Sequence, residues 1–199
     1  MKLILASASP RRAEILRNAG YAFEIRPAGV DETLLAGEDA EDYVRRLADT
    51  KARIAAEAAA SSGKRAIVLG ADTVVVAQRQ ILGKPENAAD ARRMLRLLSG
   101  RRHEVLTGVS FVAIPDGPRI SHVETTLVFF AELSESDVEE YVATGEPLDK
   151  AGAYGIQGIG GKFVEKIEGC YFNVMGLPLS RVRTTLHKFG WSNANRTPR

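Results

Sequence analysis

The chain has 199 residues, of which 45% are hydrophobic and 26% charged, and this composition is typical of one sizeable soluble domain with its own core. A formal net charge of +2 is too small to indicate a nucleic-acid-binding protein, so any anion site must be local. The single cysteine, Cys170, cannot form an internal disulfide, and no stretch approaches the roughly 18 apolar residues of a membrane span. We therefore expect a cytoplasmic protein with neither nucleic acid nor membrane as a partner.

The first predicted elements are a strand and a helix joined by small polar residues. Leu3–Leu5 form an apolar strand, and Ser9 and Pro10 suit the N-cap and the first position of a helix. Arg11 and Arg12 follow in the first turn, where free N–H groups and the helix dipole attract an anion. The segment is therefore either a phosphate site or an ordinary capped helix with two solvated arginines, and it lacks the P-loop pattern.

A short strand near Phe23–Arg26, a loop containing Glu32, and a long helix over about Ala40–Ala60 come next. Glu32 alone is typical of a solvated loop acid. Lys51 lies on or beside the apolar stripe of the long helix, so its side chain either extends outward or reaches into a cleft. The stripe itself is predicted from helical spacing at Tyr43, Leu47, Ile54 and Ala58.

Asp72 lies between two apolar, β-branched runs. Ala66–Leu69 and Thr73–Ala77 are predicted strands, and Gly70-Ala71-Asp72 interrupts them. A carboxylate in such a position is costly to bury unless it is paired or binds a cation. Its fate is a structural hydrogen bond, a salt bridge, or contact with a metal or water in a cleft. We favour a functional carboxylate, because catalytic groups favour strand ends and perturbed environments.

The remaining sequence predicts further strands and helices within one domain over residues 1–190, followed by a polar, disordered tail over 191–199. Helices interleaved with strands, together with a hairpin, indicate an α/β fold in which helices cover a mixed sheet. These later elements are a helix over about Ala88–Leu98, strands over about Val105–Ala113 and Ile120–Ala131, a short helix capped by Ser134, a strand near Lys162–Ile167 and a helix near Leu179–Phe189.

Two loops carry further candidate residues. Lys84 lies between Gly83 and Pro85, which restrict the loop and aim the ammonium group, although lysines in surface turns are common. The glycine-rich stretch Gly152–Gly161 indicates close approach of the backbone to another group. Gln157 within it offers both a donor and an acceptor to the edge of a base. The stretch is not a dinucleotide-binding fingerprint, because it does not join a strand to a helix in a βαβ unit.

No covalent nucleophile is evident. We assign His103, His122 and His187 to structure or surface, because none is spaced for shared metal ligation, and no Ser-His-Asp grouping is apparent. Cations for a polyanion combined with carboxylates for a divalent metal are what metal-assisted attack of water on a phosphate chain requires.

Several segments, in order from about residue 3 to residue 188, match a known family, and the last of them is long and highly specific. The matching segments are Ser7-Ala8-Ser9-Pro10-Arg11-Arg12 with Leu16, Asp31-Glu32, Lys51-Ala52, Gly70-Ala71-Asp72-Thr73-Val74, Gly83-Lys84-Pro85, Leu98-Ser99-Gly100 with His103, and Glu146–Gly158. The chain thus resembles the Maf family of nucleoside triphosphate pyrophosphatases, in the branch that acts on dTTP and UTP rather than on methylated guanine nucleotides.

This resemblance implies an α/β fold with an elongated mixed sheet flanked by helices around a central cleft, similar to the fold of the inosine triphosphate pyrophosphatases. It also implies that the protein is a homodimer. It implies that Asp72 accepts a proton, and that a divalent metal such as Mg²⁺, Mn²⁺ or Co²⁺ is held by Glu32 and Asp72. Further positions linked to substrate choice are Arg11, Thr73 and Gln157, and other active-site positions are Arg12, Glu32, Lys51 and Lys84.

The implied reaction is hydrolysis of a nucleoside triphosphate to the monophosphate and pyrophosphate. Three alternatives stay open at this point. They are a purine-preferring pyrophosphatase of the inosine triphosphate type, a non-catalytic nucleotide-binding regulator of cell division, and a structural partner protein. The intact set of Asp72, Glu32, Lys51 and Lys84 favours an enzyme.

Overall fold

The computed structural model describes residues 1–61 and 63–192, and its helices and strands alternate along much of the chain. The last seven residues of the predicted tail, 193–199, lie outside the described residues. In chain order the elements are β1 (Lys2–Leu5), α1 (Pro10–Asn18), β2 (Glu24–Ile25), α2 (Ala40–Ala60), β3 (Ala66–Ala77), β4 (Gln80–Leu82), α3 (Ala88–Leu98), β5 (Arg102–Ile114), β6 (Arg119–Phe130), α4 (Glu135–Ala143), β7 (Val164–Glu168), α5 (Tyr171–Val174) and α6 (Leu179–Lys188).

Within the described residues, seven strands form one mixed sheet in the order β2-β1-β3-β5-β6-β7, with β4 paired to β3. β1 runs parallel to both β2 and β3, whereas β4 is antiparallel to β3 and β7 is antiparallel to β6. The predicted mixed α/β fold is confirmed. No helix in the described ranges combines the length and the hydropathy that crossing a membrane requires.

The chain divides into two compact units, and the first consists of Met1–Asp72, Thr107–Val123 and Gly176–Arg199. Part of its core joins the inner strands to α2 through small side chains. Val68 of β3 and Ile4 of β1 are 0% and 3% exposed and cluster with alanines of this helix. The alanines keep the helix close to the sheet, because they place little volume between the two backbones. The prediction of one domain over 1–190 stays a prediction.

The second unit, Thr73–Leu106 with Glu124–Met175, has a core rich in aromatic rings. His103 is buried there; its Nε2 lies 2.8 Å from the hydroxyl oxygen of Tyr154, and its ring meets Phe130 edge-on at 5.0 Å. Burial lowers the pKa of His103 to about 4, so the ring is neutral at neutral pH. Of the two assignments considered for His103, structure or surface, its burial supports the structural one.

Three details differ from the sequence predictions. Gly70-Ala71-Asp72 do not interrupt a strand, because β3 continues through them from Ala66 to Ala77. The buried face of α2 is rotated from the predicted stripe: Ala58 is exposed, and the face is formed largely by alanines, which hydrophobic spacing underweights. The short elements β4 and α5 were not predicted, since three or four residues give too little periodicity.

Two glycines allow α2 to lie directly on the strands of the first unit. A Cβ on Gly70 would lie 2.3 Å from the carbonyl oxygen of Ala48, and a Cβ on Gly108 would lie 2.3 Å from that of Val44. Both distances are shorter than any normal contact, and both neighbours are backbone atoms that cannot rotate away. Helix and sheet therefore pack at these points without side chains between them.

We expect Gly108→Ala to lower the free energy of unfolding by about 1–3 kcal/mol, because the added methyl group forces the helix backbone away from β5. Urea unfolding followed by circular dichroism measures the change. Gly29→Ala is the matched control, since a Cβ there meets nothing within 4 Å. Its effect should stay within about 0.5 kcal/mol. Equal unfolding midpoints for the two variants would contradict this account of the packing.

Candidate active site

The centre of the candidate site is a lysine shared by two carboxylates in the first unit. Lys51 Nζ donates to Asp72 Oδ1 at 2.6 Å and to Glu32 Oε1 at 2.7 Å. The Lys51 and Asp72 side chains are 10% and 11% exposed, whereas that of Glu32 is 54% exposed. Lys51 thus points inward, and a buried ion pair is joined to an exposed acid. This salt bridge is one of the interactions considered for Asp72 from the sequence. The role of Asp72 as a proton acceptor stays a prediction.

Helix α2 also fastens the loop that carries Glu32. The Tyr43 hydroxyl donates to the carbonyl oxygen of Glu32 at 2.7 Å, and Arg46 Nη2 donates to that of Thr33 at 3.0 Å. Burial raises the pKa of Tyr43 to about 12, and the negative charges of Asp72 and Glu32 act in the same direction. The hydroxyl therefore remains a donor at neutral pH. One helix holds both the cation and the loop of its more exposed partner.

Arg12 is held by hydrogen bonds from its guanidinium to three partners. Nε donates to the carbonyl oxygen of Gly176 at 2.8 Å, and Nη1 donates to the carbonyl oxygen of Ala71 and to Ser7 Oγ, both at 2.9 Å. Burial lowers the pKa of Arg12, and the negative charge of Asp72 opposes that shift. Because arginine keeps its proton in proteins, a positive charge is fixed beside the residue that precedes Asp72.

The start of α1 differs in one respect from the predicted cap. Ser9 occupies the N-cap position with extended backbone, but its side chain makes no capping hydrogen bond. Its backbone N–H instead donates to Ser7 Oγ at 3.3 Å. The hydroxyl of Ser7, which is 6% exposed, therefore connects the helix entrance to Arg12. Arg11 is the adjacent residue, and its positive charge contributes to lowering the pKa of Arg12.

The other predicted site residues belong to the second unit. Thr73 is half-buried in β3, Lys84 is exposed after β4, and Gln157 is exposed in the glycine-rich segment. The N–H of Gly152 donates to the carbonyl oxygen of Gly83 at 3.0 Å, so the turn that carries Lys84 is attached to the start of that segment. The structure thus brings together two of the loops that sequence reasoning singled out.

The donor set fits a metal ion that is shared with a phosphate ligand. Among residues 1–61 and 63–192, no three or more His, Cys, Asp or Glu side chains are grouped to hold a metal. Mg²⁺, however, commonly binds through only one or two carboxylates together with substrate phosphates and water. Asp72 and Glu32, which converge on Lys51, supply two hard oxygen donors of that kind.

Sequence reasoning missed the supporting contacts of the site. Neither Ser7 nor Tyr43 was assigned a role, and the carbonyl of Gly176 cannot be recognised in a sequence as a partner for Arg12. Ser7 lies within the matched segment at the N-terminus, which was its only signal. Helical spacing predicts Tyr43 on the apolar stripe of α2, and nothing in that spacing indicates that its hydroxyl contacts the Glu32 loop.

Comparison with known proteins gives a match over nearly the whole chain. The model of the family described as "Maf-like protein" matches residues 2–189. A "dTTP/UTP pyrophosphatase" of Koribacter versatilis is 51% identical over 192 residues, which cover 96% of this chain and 95% of the relative. A "dTTP/UTP pyrophosphatase" of Vibrio cholerae is 50% identical over 188 residues, covering 94% and 98% of the two chains.

Among solved structures, a HAM1 protein from Coxiella burnetii is similar to this chain, with a TM-score of 0.49 and 15% sequence identity. That similarity covers 94% of this chain and 99% of the other.

The buried ion pair generates a stability prediction. We expect Lys51→Met to lower the free energy of unfolding by about 3–5 kcal/mol, because it leaves the Asp72 carboxylate buried without its cation. The double variant Lys51→Met/Asp72→Asn should recover most of this loss, since the carboxylate charge that Lys51 compensated is then absent as well. Urea unfolding at pH 7 measures the free energy of unfolding of the wild-type protein and of both variants.

Arg53→Met is the control for the lysine substitution. Arg53 lies on the same helix and pairs with Glu57, but both side chains are more than half exposed. Its removal should change the free energy of unfolding by at most about 0.5 kcal/mol. If the double variant is no more stable than Lys51→Met alone, Lys51 does not stabilise the fold by compensating Asp72.

Proposed function

The chain belongs to the Maf-like protein family, and on that premise we propose that it hydrolyses dTTP and UTP to the nucleoside monophosphate and pyrophosphate. The observation that carries the proposal is the convergence of Asp72 and Glu32 on Lys51, with Arg12 fixed to the carbonyl group that precedes Asp72. The relatives from Koribacter versatilis and Vibrio cholerae support the substrate class. Both are named dTTP/UTP pyrophosphatases, and the match with this chain covers nearly their full length.

We assign proton acceptance from the attacking water to Asp72. Its Oδ1 is engaged by Lys51, which fixes the plane of the carboxylate, so the second oxygen, Oδ2, is the one assigned to the water. A general base must be held within hydrogen-bonding reach of the proton it removes, and a carboxylate locked by a buried lysine meets the requirement for fixed orientation. Attack at the α-phosphorus forms the new P–O bond and breaks the bond to the pyrophosphate leaving group.

The residues assigned to substrate binding include several cations. In the first unit, Arg12 and Lys51 are assigned to the triphosphate charge and Arg11 to the choice of substrate. In the second unit, Lys84 is assigned to the triphosphate charge, and Thr73 and Gln157 to the choice of substrate. Glu32 and Asp72 would hold a divalent cation such as Mg²⁺, Mn²⁺ or Co²⁺. Such an ion supplies charge neutralisation on the phosphate oxygens and a more acidic bound water. Two carboxylates are a sufficient protein contribution when the phosphate chain completes the coordination.

We also propose that the enzyme is a cytoplasmic homodimer. The cytoplasmic assignment is supported by the single cysteine, Cys170, which is half-buried and has no second cysteine to pair with. The dimer is supported by family resemblance and by exposed apolar side chains such as Leu34 and Leu35, which are 47% and 54% exposed. Light scattering coupled to size-exclusion chromatography measures the mass in solution, and a monomer mass across the working concentrations would contradict the dimer.

The first test of the function identifies the products. Incubation with each nucleoside triphosphate and Mg²⁺ should yield pyrophosphate with dTMP or UMP, and hydrolysis in ¹⁸O-labelled water should place the label in the monophosphate. Ion chromatography and mass spectrometry follow the products. Orthophosphate with a nucleoside diphosphate, or label found only in pyrophosphate, would contradict the proposed cleavage. A preference for inosine or other purine triphosphates would favour the purine-specific alternative.

The second test removes the proposed base. Asp72→Asn keeps the shape of the side chain and its acceptor for Lys51, whose charge remains compensated by Glu32. We therefore expect a folded protein that binds nucleotide but whose kcat falls by about 10²–10⁴-fold. Single-turnover kinetics and equilibrium nucleotide binding separate these effects.

Asp116→Asn is the control for that substitution. It makes the same chemical change at an exposed turn position with a positive φ, which asparagine accepts. It should leave kcat unchanged. Near-normal turnover by Asp72→Asn would end the assignment of Asp72 as the proton acceptor.

A further inference from the structure

The segment Gly155–Gly161, here called the glycine loop, rests on a tyrosine and a glutamate of the second unit. One carboxylate oxygen of Glu146 accepts from the Tyr141 hydroxyl at 2.8 Å and from the N–H of Gly160 at 3.2 Å, and the other accepts from the N–H of Ile159 at 2.9 Å. The Tyr141 hydroxyl oxygen in turn accepts from the N–H of Gly155 at 3.2 Å. Both ends of the glycine loop are thereby attached to one side-chain pair.

This pair explains two of the glycines in the loop. A Cβ on Gly158 would lie 2.4 Å from both carboxylate oxygens of Glu146, and a Cβ on Gly160 would lie 2.5 Å from the hydroxyl oxygen of Tyr141. The backbone therefore lies directly on the two polar groups, at a distance that any side chain would disrupt. The glycine content, which from sequence alone indicated close approach of the backbone, is required here by Glu146 and Tyr141.

Tyr141 is anchored in the fold, and both Tyr141 and Glu146 are in the protonation states that their hydrogen bonds require. Tyr141 lies on α4, is 1% exposed and meets the ring of Phe163 edge-on at 5.2 Å. Burial raises the pKa of Tyr141, so its hydroxyl stays a donor. Burial also acts to raise the pKa of Glu146, but the hydrogen bonds from Ile159, Tyr141 and Gly160 outweigh it and lower the pKa. Glu146 is consequently an ionised acceptor at neutral pH.

We propose that Glu146 and Tyr141 are positioning residues for discrimination between pyrimidine bases, because they fix the backbone that presents Gln157. Gln157 is exposed in the middle of the glycine loop, between the attachment points at Gly155 and Ile159. Its amide can match the carbonyl and N3–H groups of uracil or thymine only if the backbone beneath it is fixed. This inference rests on the proposed function and names residues that act through Gln157 rather than on the substrate.

Glu146→Gln tests the inference with almost no change of shape. A glutamine has one acceptor oxygen, so its amide nitrogen must face a backbone N–H or the tyrosine hydroxyl, and part of the attachment is lost. We expect the ratio of kcat/KM for UTP over CTP to fall by about 10-fold, the effect of one lost hydrogen bond to a charged group. The inhibition constant of inorganic pyrophosphate, which lacks a base, should stay within about twofold of the wild-type value, because the substitution removes no phosphate contact.

Two further variants separate positioning from general damage. Tyr141→Phe removes one donor to Glu146 and the acceptor of the Gly155 N–H, and it should lower the ratio in the same direction; it also provides the test if Glu146→Gln does not fold. Glu140→Gln is the matched control, since Glu140 is an exposed residue of α4 whose carboxylate accepts only from Ser136 among its described hydrogen bonds. It should leave the ratio unchanged.

A double-mutant cycle links the pair to Gln157. In a Gln157→Ala background, Glu146→Gln should cause no further fall in the UTP-over-CTP ratio, because the group that it positions is gone. The inference is overturned if Glu146→Gln and Tyr141→Phe leave the ratio unchanged or lower kcat/KM for UTP and CTP equally. It is also overturned if their effects on the ratio add fully to the effect of Gln157→Ala. A wild-type protein that releases no pyrophosphate from UTP would instead contradict the proposed function itself, and the inference with it.

Discussion

The close packing of α2 on the sheet determines the geometry of the candidate site. At Gly70 the helix backbone approaches so closely that a Cβ would lie 2.3 Å from the carbonyl oxygen of Ala48 and 2.7 Å from the amide nitrogen of Ala52. Lys51 precedes Ala52, and Asp72 follows Gly70 by two residues, so this approach brings the ammonium within 2.6 Å of the carboxylate. A larger residue at position 70 would move α2 away from β3 and so separate Lys51 from Asp72 without contacting either side chain.

The charges of the site are compensated unequally, and this inequality is chemically useful. Lys51 and Asp72 are nearly buried, and removal of Lys51 leaves the Asp72 carboxylate in a low-dielectric environment without its cation. Lys51 without Asp72 keeps Glu32 as its partner. Glu32 is more than half exposed and can exchange Lys51 for another cation at little desolvation cost. The first pair therefore provides rigidity, whereas Glu32 provides a contact that can adapt to the metal-bound phosphate proposed above.

Strong local signals made much of the fold predictable. The bounds of α2 and α3, the capping box of Ser134 with Asp137, and the strands on either side of the turn at 115–118 were recognisable from periodicity, caps and turn residues. The buried face of α2 was not, because its alanines give almost no hydrophobic contrast. The candidate site was reached partly by resemblance: spacing alone could not bring Lys51 to Asp72 and Glu32, which lie 21 and 19 residues away and meet only through tertiary packing.

The division of the chain has a consequence for the order in which the units can form during synthesis. The second unit ends at Met175, but the first unit combines Met1–Asp72 and Thr107–Val123 with a segment that begins only at Gly176. On a ribosome, which adds residues from the N-terminus onward, the unit that contains the N-terminal strand and helix is therefore complete only after the segment from Gly176 has been made. The Gly176 carbonyl that holds Arg12 belongs to this late segment, so the hydrogen bonds that orient the Arg12 guanidinium are completed only then.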